Sequence, residues 1–175
     1  MEEQEKLARF EQCIMPQMDA AYNLARWLAG NDPDAQDVVQ EAYLRAFKFF
    51  GGFRGGDSRS WLLRIVRNSF YDWLRHQSRT AERETPFDEA VHHPAANDPT
   101  PDIVLLEKAD KELLRQALEA LPVEYREVLV MRELEGLSYK EIADVADLPI
   151  GTVMSRLARA RDQLRQGLTE RMQKE

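Results

Sequence analysis

Four polar side chains in the segment 151–165 could recognise bases in double-stranded DNA. Their spacing places them on one face of a helix: they are Thr152, Ser155, Arg156 and Arg159. Arginine can donate two parallel hydrogen bonds to a guanine, and hydroxyl groups can contact bases or phosphates. The same segment has four arginines against one aspartate, which favours phosphate binding. We predict that this face is exposed and binds duplex DNA.

A second basic segment, 54–75, could bind single-stranded DNA. It has five arginines against two aspartates, interleaved with aromatic side chains. Cations hold phosphates while aromatic rings stack on unpaired bases. Trp61 and Trp73 share the helical spacing of the apolar residues, so we expect both rings to belong to the core. The candidates for DNA binding are therefore Arg64, Arg67 and Asn68.

The residues around the first basic face are typical of two helices that cross at a tight turn. Ser138 and Glu141 form a capping-box pattern at the start of a short helix, which ends before Pro149. Thr152 is expected to cap a long final helix. The apolar stripe of that helix consists of Val153, Leu157, Ala160, Leu164 and Leu168. Together these features predict a helix-turn-helix, whose second helix can enter the major groove.

The first half of the chain is predicted to contain three helices. The first spans about Glu5–Ala29, with a kink or a restart at Pro16. Asp32-Pro33 has the pattern of a cap followed by proline at the first helical position, and it begins the second helix. The segment 49–57 contains four glycines and is predicted to be a loop. The third helix starts near Ser58.

These patterns predict an all-α fold of two small helical domains joined by a flexible acidic linker. The N-terminal domain, 1–76, holds the three helices just described. The linker, 77–101, contains four of the eight prolines and has no sustained apolar period. The C-terminal domain, 102–175, is predicted to contain four helices. Thr100-Pro101 begins the first of them, and the last two form the helix-turn-helix.

Composition argues against several other classes of protein. The chain has no apolar run of the roughly 20 residues that a membrane-spanning helix needs, and its polar start lacks the apolar region of a signal peptide. Cys13 is the single cysteine, so no intrachain disulfide can form and the cytoplasm is the expected compartment. Neither a Ser-His-Asp set nor a phosphate-binding glycine loop occurs, and His92-His93 has no further ligands nearby. We therefore expect no cofactor, no metal and no enzymatic activity.

The C-terminal motif resembles region four of the extracytoplasmic-function (ECF) sigma factors of bacterial RNA polymerase. The resemblance rests on Leu121-Pro122, on GLSYKEIA at 136–143 and on GTVMSRLARAR at 151–161. In that family this region reads the minus-thirty-five promoter element, which implies DNA contacts from the four polar side chains described above. Met154 departs from the pattern, because the family frequently has a basic residue there. One phosphate contact is therefore expected to be missing.

The segment 34–47 (DAQDVVQEAYLRAF) resembles the core-binding helix of region two in the same family. The resemblance implies that this helix docks on a coiled coil of the polymerase beta-prime subunit. The implied docking residues are Asp37, Gln40, Glu41, Tyr43 and Phe47.

The segment 53–75 is similar to the part of region two that contacts the minus-ten promoter element. The matching residues are Phe53-Arg54-Gly55, Trp61-Leu62, Ile65, Asn68, Asp72 and Arg75. In the family, a non-template base is flipped out of the stack into a protein pocket, and Asn68 matches a position of that pocket.

The resemblance implies a transcription initiation factor that binds core RNA polymerase, directs it to specific promoters and opens the DNA. The implied partners are the beta-prime and beta subunits of the polymerase, promoter DNA and an anti-sigma factor. Two other interpretations fit parts of the sequence. A helix-turn-helix regulator would bind duplex operator DNA by itself, and a helical adaptor would bind acidic proteins through its basic faces.

Overall fold

The computed structural model describes residues 2–78 and 111–174, and both parts are built from helices. The N-terminal part contains α1 (Glu2–Ile14), α2 (Met18–Ala29), α3 (Asp32–Phe49) and α4 (Ser58–Ser78). The C-terminal part contains α5 (Lys111–Glu119), α6 (Val123–Leu129), α7 (Tyr139–Ala146) and α8 (Ile150–Gln173). The all-α fold class is confirmed. Most of the predicted linker, 77–101, and the helix start expected at Thr100-Pro101 lie outside the described residues.

The first predicted helix is divided in two at Pro16. A turn of 3-10 helix, Met15–Gln17, separates α1 from α2, because proline has no amide hydrogen to continue the α-helical hydrogen bonds. The predicted restart is therefore observed. Gly30 ends α2 with a φ of 90°, a conformation that favours glycine, and its N–H donates to the Arg26 carbonyl at 3.0 Å.

Two predicted helix caps are wrong by one to three residues. The cap of α3 is Asn31, whose side-chain oxygen accepts from the Asp34 N–H at 2.9 Å, so Asp32 already belongs to the helix. The cap of α8 is Pro149. Thr152 lies inside the first turn, where its N–H donates to the Pro149 carbonyl at 3.0 Å. Proline tolerates the helix start because its missing N–H needs no partner there.

The core of the N-terminal part is centred on Phe10. Its ring makes edge-to-face contacts with Tyr43, Phe47 and Phe50, at centroid distances of 5.2, 5.3 and 5.5 Å. These contacts join α1 to α3 and to the glycine-rich segment that follows it. Aromatic pairs of this geometry are worth about 1 kcal/mol each beyond the area they bury.

The glycine-rich segment is ordered by its aromatic residues. Phe50–Gly52 forms a turn of 3-10 helix rather than open loop, and the Phe50 and Phe53 rings stack with centroids 5.6 Å apart. Trp61 lies 5.1 Å from Phe53, and both Trp61 and Trp73 are half-buried against the core. The expectation that these rings pack with the core therefore holds.

The C-terminal part contains the predicted helix-turn-helix. In the capping box, the Glu141 N–H donates to the Ser138 hydroxyl at 3.0 Å and the Ser138 N–H donates to the Glu141 carboxylate at 2.9 Å. Asp147 turns the chain between α7 and α8 with a φ of 55°, which Asp adopts more readily than most residues. The predicted apolar stripe of α8 is buried along its full length.

The two parts pack against each other. Helix α4 contacts α7, and α2 contacts α6. The basic segment on α4 and the helix-turn-helix are therefore neighbours in the folded chain.

The capping box generates a test of the predicted helix start. Ser138→Ala is expected to lower the free energy of unfolding by about 1 kcal/mol, because it leaves the Glu141 N–H, one of the amide donors at the start of α7, without its acceptor. Ser138→Gly should cost only a few tenths of a kcal/mol, since glycine lets water reach those donors. Urea unfolding of the full chain measures both values.

Ser155→Ala is the matched control, because its hydroxyl donates to the Thr152 carbonyl inside α8 and caps nothing. The replacement of serine by alanine in a helix interior is expected to be neutral or slightly stabilising. Equal effects of Ser138→Ala and Ser155→Ala would contradict the capping role.

Candidate nucleic-acid interface

The predicted recognition face of α8 is less accessible than expected. Arg156 is buried, with 9% of its surface exposed, and Thr152, Ser155 and Arg159 are half-buried. The prediction of an exposed face is therefore wrong for Arg156. The physical reason is that this part of α8 lies against a buried carboxylate, which attracts the guanidinium inward.

That carboxylate belongs to Glu127 on α6, and it is completely buried. It accepts two hydrogen bonds from Arg67 on α4, at 3.0 Å from Nε and 3.2 Å from Nη2. An Nη atom of Arg156 lies 4.0 Å from the same carboxylate. We call these three residues the Glu127 bridge. The bridge brings together one arginine from each predicted DNA-binding face.

The electrostatics of the bridge follow from its burial. Burial raises the pKa of Glu127, while the positive charge and hydrogen bonds of Arg67 act in the opposite direction. Tyr71 contacts the same group: the Arg67 guanidinium lies over its ring at 4.4 Å. Burial, and then the negative charge of Glu127, raises the pKa of the Tyr71 hydroxyl. This tyrosine therefore remains neutral at physiological pH.

The other predicted residues on α4 are accessible. Arg64 and Asn68 are exposed, and Asn68 lines a polar cavity of about 450 Å³. The other residues lining that cavity are Arg45, Arg67, Tyr71, Asp72 and Arg75. The structure thus places Asn68 in a polar recess and brings Arg67 to the same recess, whereas Arg64 is not among its lining residues.

Asp72 organises the arginines of the recess. It accepts from Arg45 at 2.7 Å and also from Arg75, while Arg45 contacts Glu41 at 3.0 Å. The hydrogen bond from Arg45 holds the pKa of Asp72 below its usual range, and the charges of Arg45 and Arg75 act in the same direction. This network connects α3 to α4.

The predicted polymerase-docking residues lie together on α3 but differ in exposure. Asp37, Gln40 and Glu41 are exposed, as expected. Tyr43 and Phe47 are half-buried, because their rings pack on Phe10. The helix therefore presents a polar surface whose aromatic edge is partly engaged by the core.

Sequence reasoning missed Glu127 and Arg126, which join the two parts. Arg126 donates to the Glu119 carbonyl at 2.9 Å within the C-terminal part and to the Leu28 carbonyl at 3.1 Å in the N-terminal part. An available signal was the run Val123–Met131, where two acidic residues and one basic residue interrupt apolar positions that are mostly buried. A charge in such a run needs a partner, but the sequence does not identify it.

The fold defines an all-helical class of protein with a helix-turn-helix in its C-terminal part. Family models agree: Sigma-70 region 2 matches residues 15–80, and Sigma-70, region 4 matches residues 111–164. The ECF RNA polymerase sigma factor SigE of Mycolicibacterium smegmatis is 34% identical over 96% of the chain, which spans 65% of that relative. The ECF RNA polymerase sigma-E factor of Escherichia coli is 35% identical, with 74% of the chain and 71% of the relative covered.

Solved structures show the same likeness. The sigma factor RpoE of Bartonella quintana, in complex with the anti-sigma factor NepR, has a TM-score of 0.71 and 27% identity, with 92% of this chain and 97% of that chain covered. CnrH, in complex with the cytosolic domain of CnrY, has a TM-score of 0.59 and 26% identity, with 89% and 84% covered.

The chain belongs to the sigma-70 family, among the ECF sigma factors. The family predicted from the sequence is confirmed. Members of the family are transcription initiation factors that direct RNA polymerase to promoters. The match to region two disfavours a regulator that lacks any role in the polymerase. Among the helices within 2–78 and 111–174, none is long and apolar enough to cross a membrane.

The Asp72 network predicts an acid-sensitive contribution to stability. A carboxyl group with a lowered pKa in the folded state stabilises the fold above its unfolded pKa of about 3.9, and this contribution is lost as pH falls through the folded pKa. Asp72→Asn should therefore lower the free energy of unfolding at pH 7 but not near pH 2. Since 42% of the Asp72 side chain is exposed, the loss at pH 7 should stay below about 1 kcal/mol.

Thermal unfolding from pH 7 to pH 2 measures this difference. Asp37→Asn is the matched control, because it removes the same charge from the exposed surface of α3. A deficit of Asp72→Asn that persists undiminished at pH 2 would show that the contribution is not electrostatic.

Proposed function

We propose that this chain binds core RNA polymerase as its sigma subunit, selects promoters through two separate elements and opens the DNA. The observation that carries the proposal is the presence of both sigma regions in order on one chain. It acts in the cytoplasm with the polymerase, and it has no catalytic activity of its own. The domain limits remain those predicted: 1–76, a linker at 77–101 and 102–175.

The polar surface of α3 docks on the polymerase in this proposal. Asp37, Gln40 and Glu41 are exposed on one helix, which supports a contact with the beta-prime subunit. Tyr43 and Phe47 form its aromatic edge. The C-terminal part contacts the beta subunit.

Promoter recognition is divided between α8 and α4. Thr152, Ser155, Arg156 and Arg159 read the minus-thirty-five element in the major groove. Arg64 and Arg67 hold the backbone of the melted minus-ten strand, and Asn68 contacts a flipped base. The polar recess beside Asn68, lined by arginines, supports this role.

An anti-sigma factor is a further proposed partner. The support is that both structural neighbours were solved with such a factor or with the cytosolic domain of a second protein bound.

Run-off transcription with purified bacterial core polymerase tests the function. A pool of genomic promoters is transcribed with and without the chain, and transcripts that need the chain are expected. Arg156→Ala combined with Arg159→Ala should abolish promoter selection and leave core binding through α3 intact. Circular dichroism checks that the variant is folded, because Arg156 also pairs with the buried Glu127.

Lys140→Ala combined with Lys174→Ala is the control, since it removes two positive charges from the same part of the chain outside the predicted face. Core binding is measured by co-elution. Absence of specific transcripts together with tight duplex binding by the chain alone would contradict the proposal, and so would a loss of core binding in the arginine variant.

Met154 generates a separate prediction about salt dependence. It is 51% exposed near the start of α8, where a cation could reach a phosphate. Met154→Arg in the holoenzyme should add about one phosphate contact, so the slope of log K against log salt should become steeper by about 1.

Gln166→Arg adds the same charge farther along α8, at another exposed position, and should change the slope less. Filter binding to one promoter fragment at several salt concentrations gives both slopes. Identical slopes for the two variants would exclude a specific phosphate contact at residue 154.

A further inference from the structure

Three cations beside the aromatic residues of the N-terminal part have no role in the proposed function. Lys6 and Arg9 are on α1, and Arg54 is in the glycine-rich segment. Other arginines of this part, such as Arg45 and Arg67, are paired with carboxylates. Lys6, Arg9 and Arg54 form no ion pair with any residue in 2–78 or 111–174. Their positive charge is therefore not neutralised by neighbouring side chains.

The side chains of Lys6 and Arg9 lie over aromatic rings. The Lys6 Nζ atom is 4.7 Å from the centroid of the Phe47 ring, and the central guanidinium carbon of Arg9 is 5.7 Å from that of Phe50. Both distances are typical of cation–π contacts. Such a contact holds the charged group in place without a carboxylate, so N–H groups that do not face the ring can bind an anion.

Acidic partners for both cations exist on α1, but they are not used. Glu2 and Glu5 precede Lys6 and Arg9 by four positions each, which is the spacing of ion pairs on a helix. Among the described side chains neither of these ion pairs is formed, and both cations instead contact rings of α3 and of the segment that follows it. Positive charge is thus directed toward the aromatic cluster, despite the acidic first turn of α1.

The aromatic cluster connects these cations to α4. The Phe50 and Phe53 rings stack at 5.6 Å, and the Trp61 ring of α4 lies 5.1 Å from Phe53. Arg54, which is exposed, directly follows Phe53, and the exposed Arg64 is about one helical turn after Trp61. Unneutralised positive charge therefore continues from α4 across the glycine-rich segment to α1.

The glycine-rich segment leaves room for a ligand beside these cations. Gly51 and Gly52 are exposed, and no other group lies within 4 Å of the position that a Cβ atom would take at either residue. The neighbouring Phe49 side chain is 57% exposed. Cations that follow a phosphate backbone, together with rings on which bases stack, are typical of sites for single-stranded nucleic acid. Duplex DNA has no free base face for such a ring.

We propose that Lys6, Arg9 and Arg54 form a second contact for single-stranded DNA, separate from the polar recess on α4. We call these three residues the Lys6 surface. They hold phosphates of the melted strand, and the exposed ring of Phe49 stacks on a base. Lys6 and Arg9 precede the segment 15–80 that matches Sigma-70 region 2, so that match implies no role for them. The inference rests on the proposed function, because it assumes that the chain meets melted DNA.

Lys6→Gln combined with Arg9→Gln tests the Lys6 surface. The variant is bound to core polymerase, and fluorescence anisotropy gives its affinity for a short single strand of mixed sequence at several salt concentrations. Core polymerase alone is the baseline. The slope of log K against log salt should become shallower by about 1.4, because each phosphate contact with a single strand contributes about 0.7. Circular dichroism verifies that the variant is folded.

Two matched variants separate charge at this surface from charge in general. Lys140→Gln combined with Lys174→Gln removes two positive charges from exposed positions of the C-terminal part, and it should leave the slope unchanged. Lys6→Arg combined with Arg9→Lys keeps both charges, and it should retain the slope of the unaltered chain.

An unchanged slope for the Lys6 and Arg9 glutamine variant would overturn the inference. An equal change of slope with a blunt duplex of mixed sequence would also overturn it, because the contact would then not require a single strand. Weaker co-elution with core polymerase, with an unaltered slope for DNA, would assign the surface to the polymerase instead. These slopes need no promoter, whereas the proposed function fails by an absence of specific transcripts with the unaltered chain.

Discussion

A carboxylate that is shielded from water must be paired, and the position of Glu127 makes this requirement a constraint on the whole molecule. Its partners come from helices that are far apart in sequence, α4 and α8, while Glu127 itself is on α6. The orientation of the N-terminal part relative to the helix-turn-helix therefore has to satisfy one small group of charged atoms. The apolar cores of the two parts fix the helices. This group, together with the hydrogen bond from Arg126 to the Leu28 carbonyl, fixes how the parts meet.

The pairing of arginines with acidic residues also explains why the net charge of the chain does not describe its basic surfaces. A total of −7 is unfavourable for a DNA-binding protein, yet the arginines are concentrated on α4 and α8. In the structure several arginines are paired with acidic residues of the chain: Arg45 on α3 with Glu41 and Asp72, Arg67 on α4 with Glu127, and Arg161 on α8 with Glu133. Acidic residues thus mask positive charge within the molecule, and the sum over the sequence does not describe either face.

The helices, the capping box and the apolar stripe of α8 could be predicted because they depend on neighbours within a few residues along the chain. The motifs on both halves also sufficed to predict the family. The cap of α3 was predicted wrongly because Asn31 and Asp32 are both good caps and only the backbone geometry selects between them. The burial of Arg156 could not be predicted, since it depends on a partner, Glu127, that is 29 positions away in sequence. Propensity and periodicity carry no information about such a contact.

The alanines on the buried face of α3 have a consequence for how this protein can change over evolution. Ala35, Ala42 and Ala46 are at most 1% exposed, and their small size lets α3 lie close to both α2 and α4. A larger residue at any of them would strain the core by about 1–3 kcal/mol or move the helix outward. Movement of the helix would displace Asp37, Gln40 and Glu41 on the opposite face. Substitution of these buried alanines during evolution is therefore limited by the need to keep the polar surface of α3 in place.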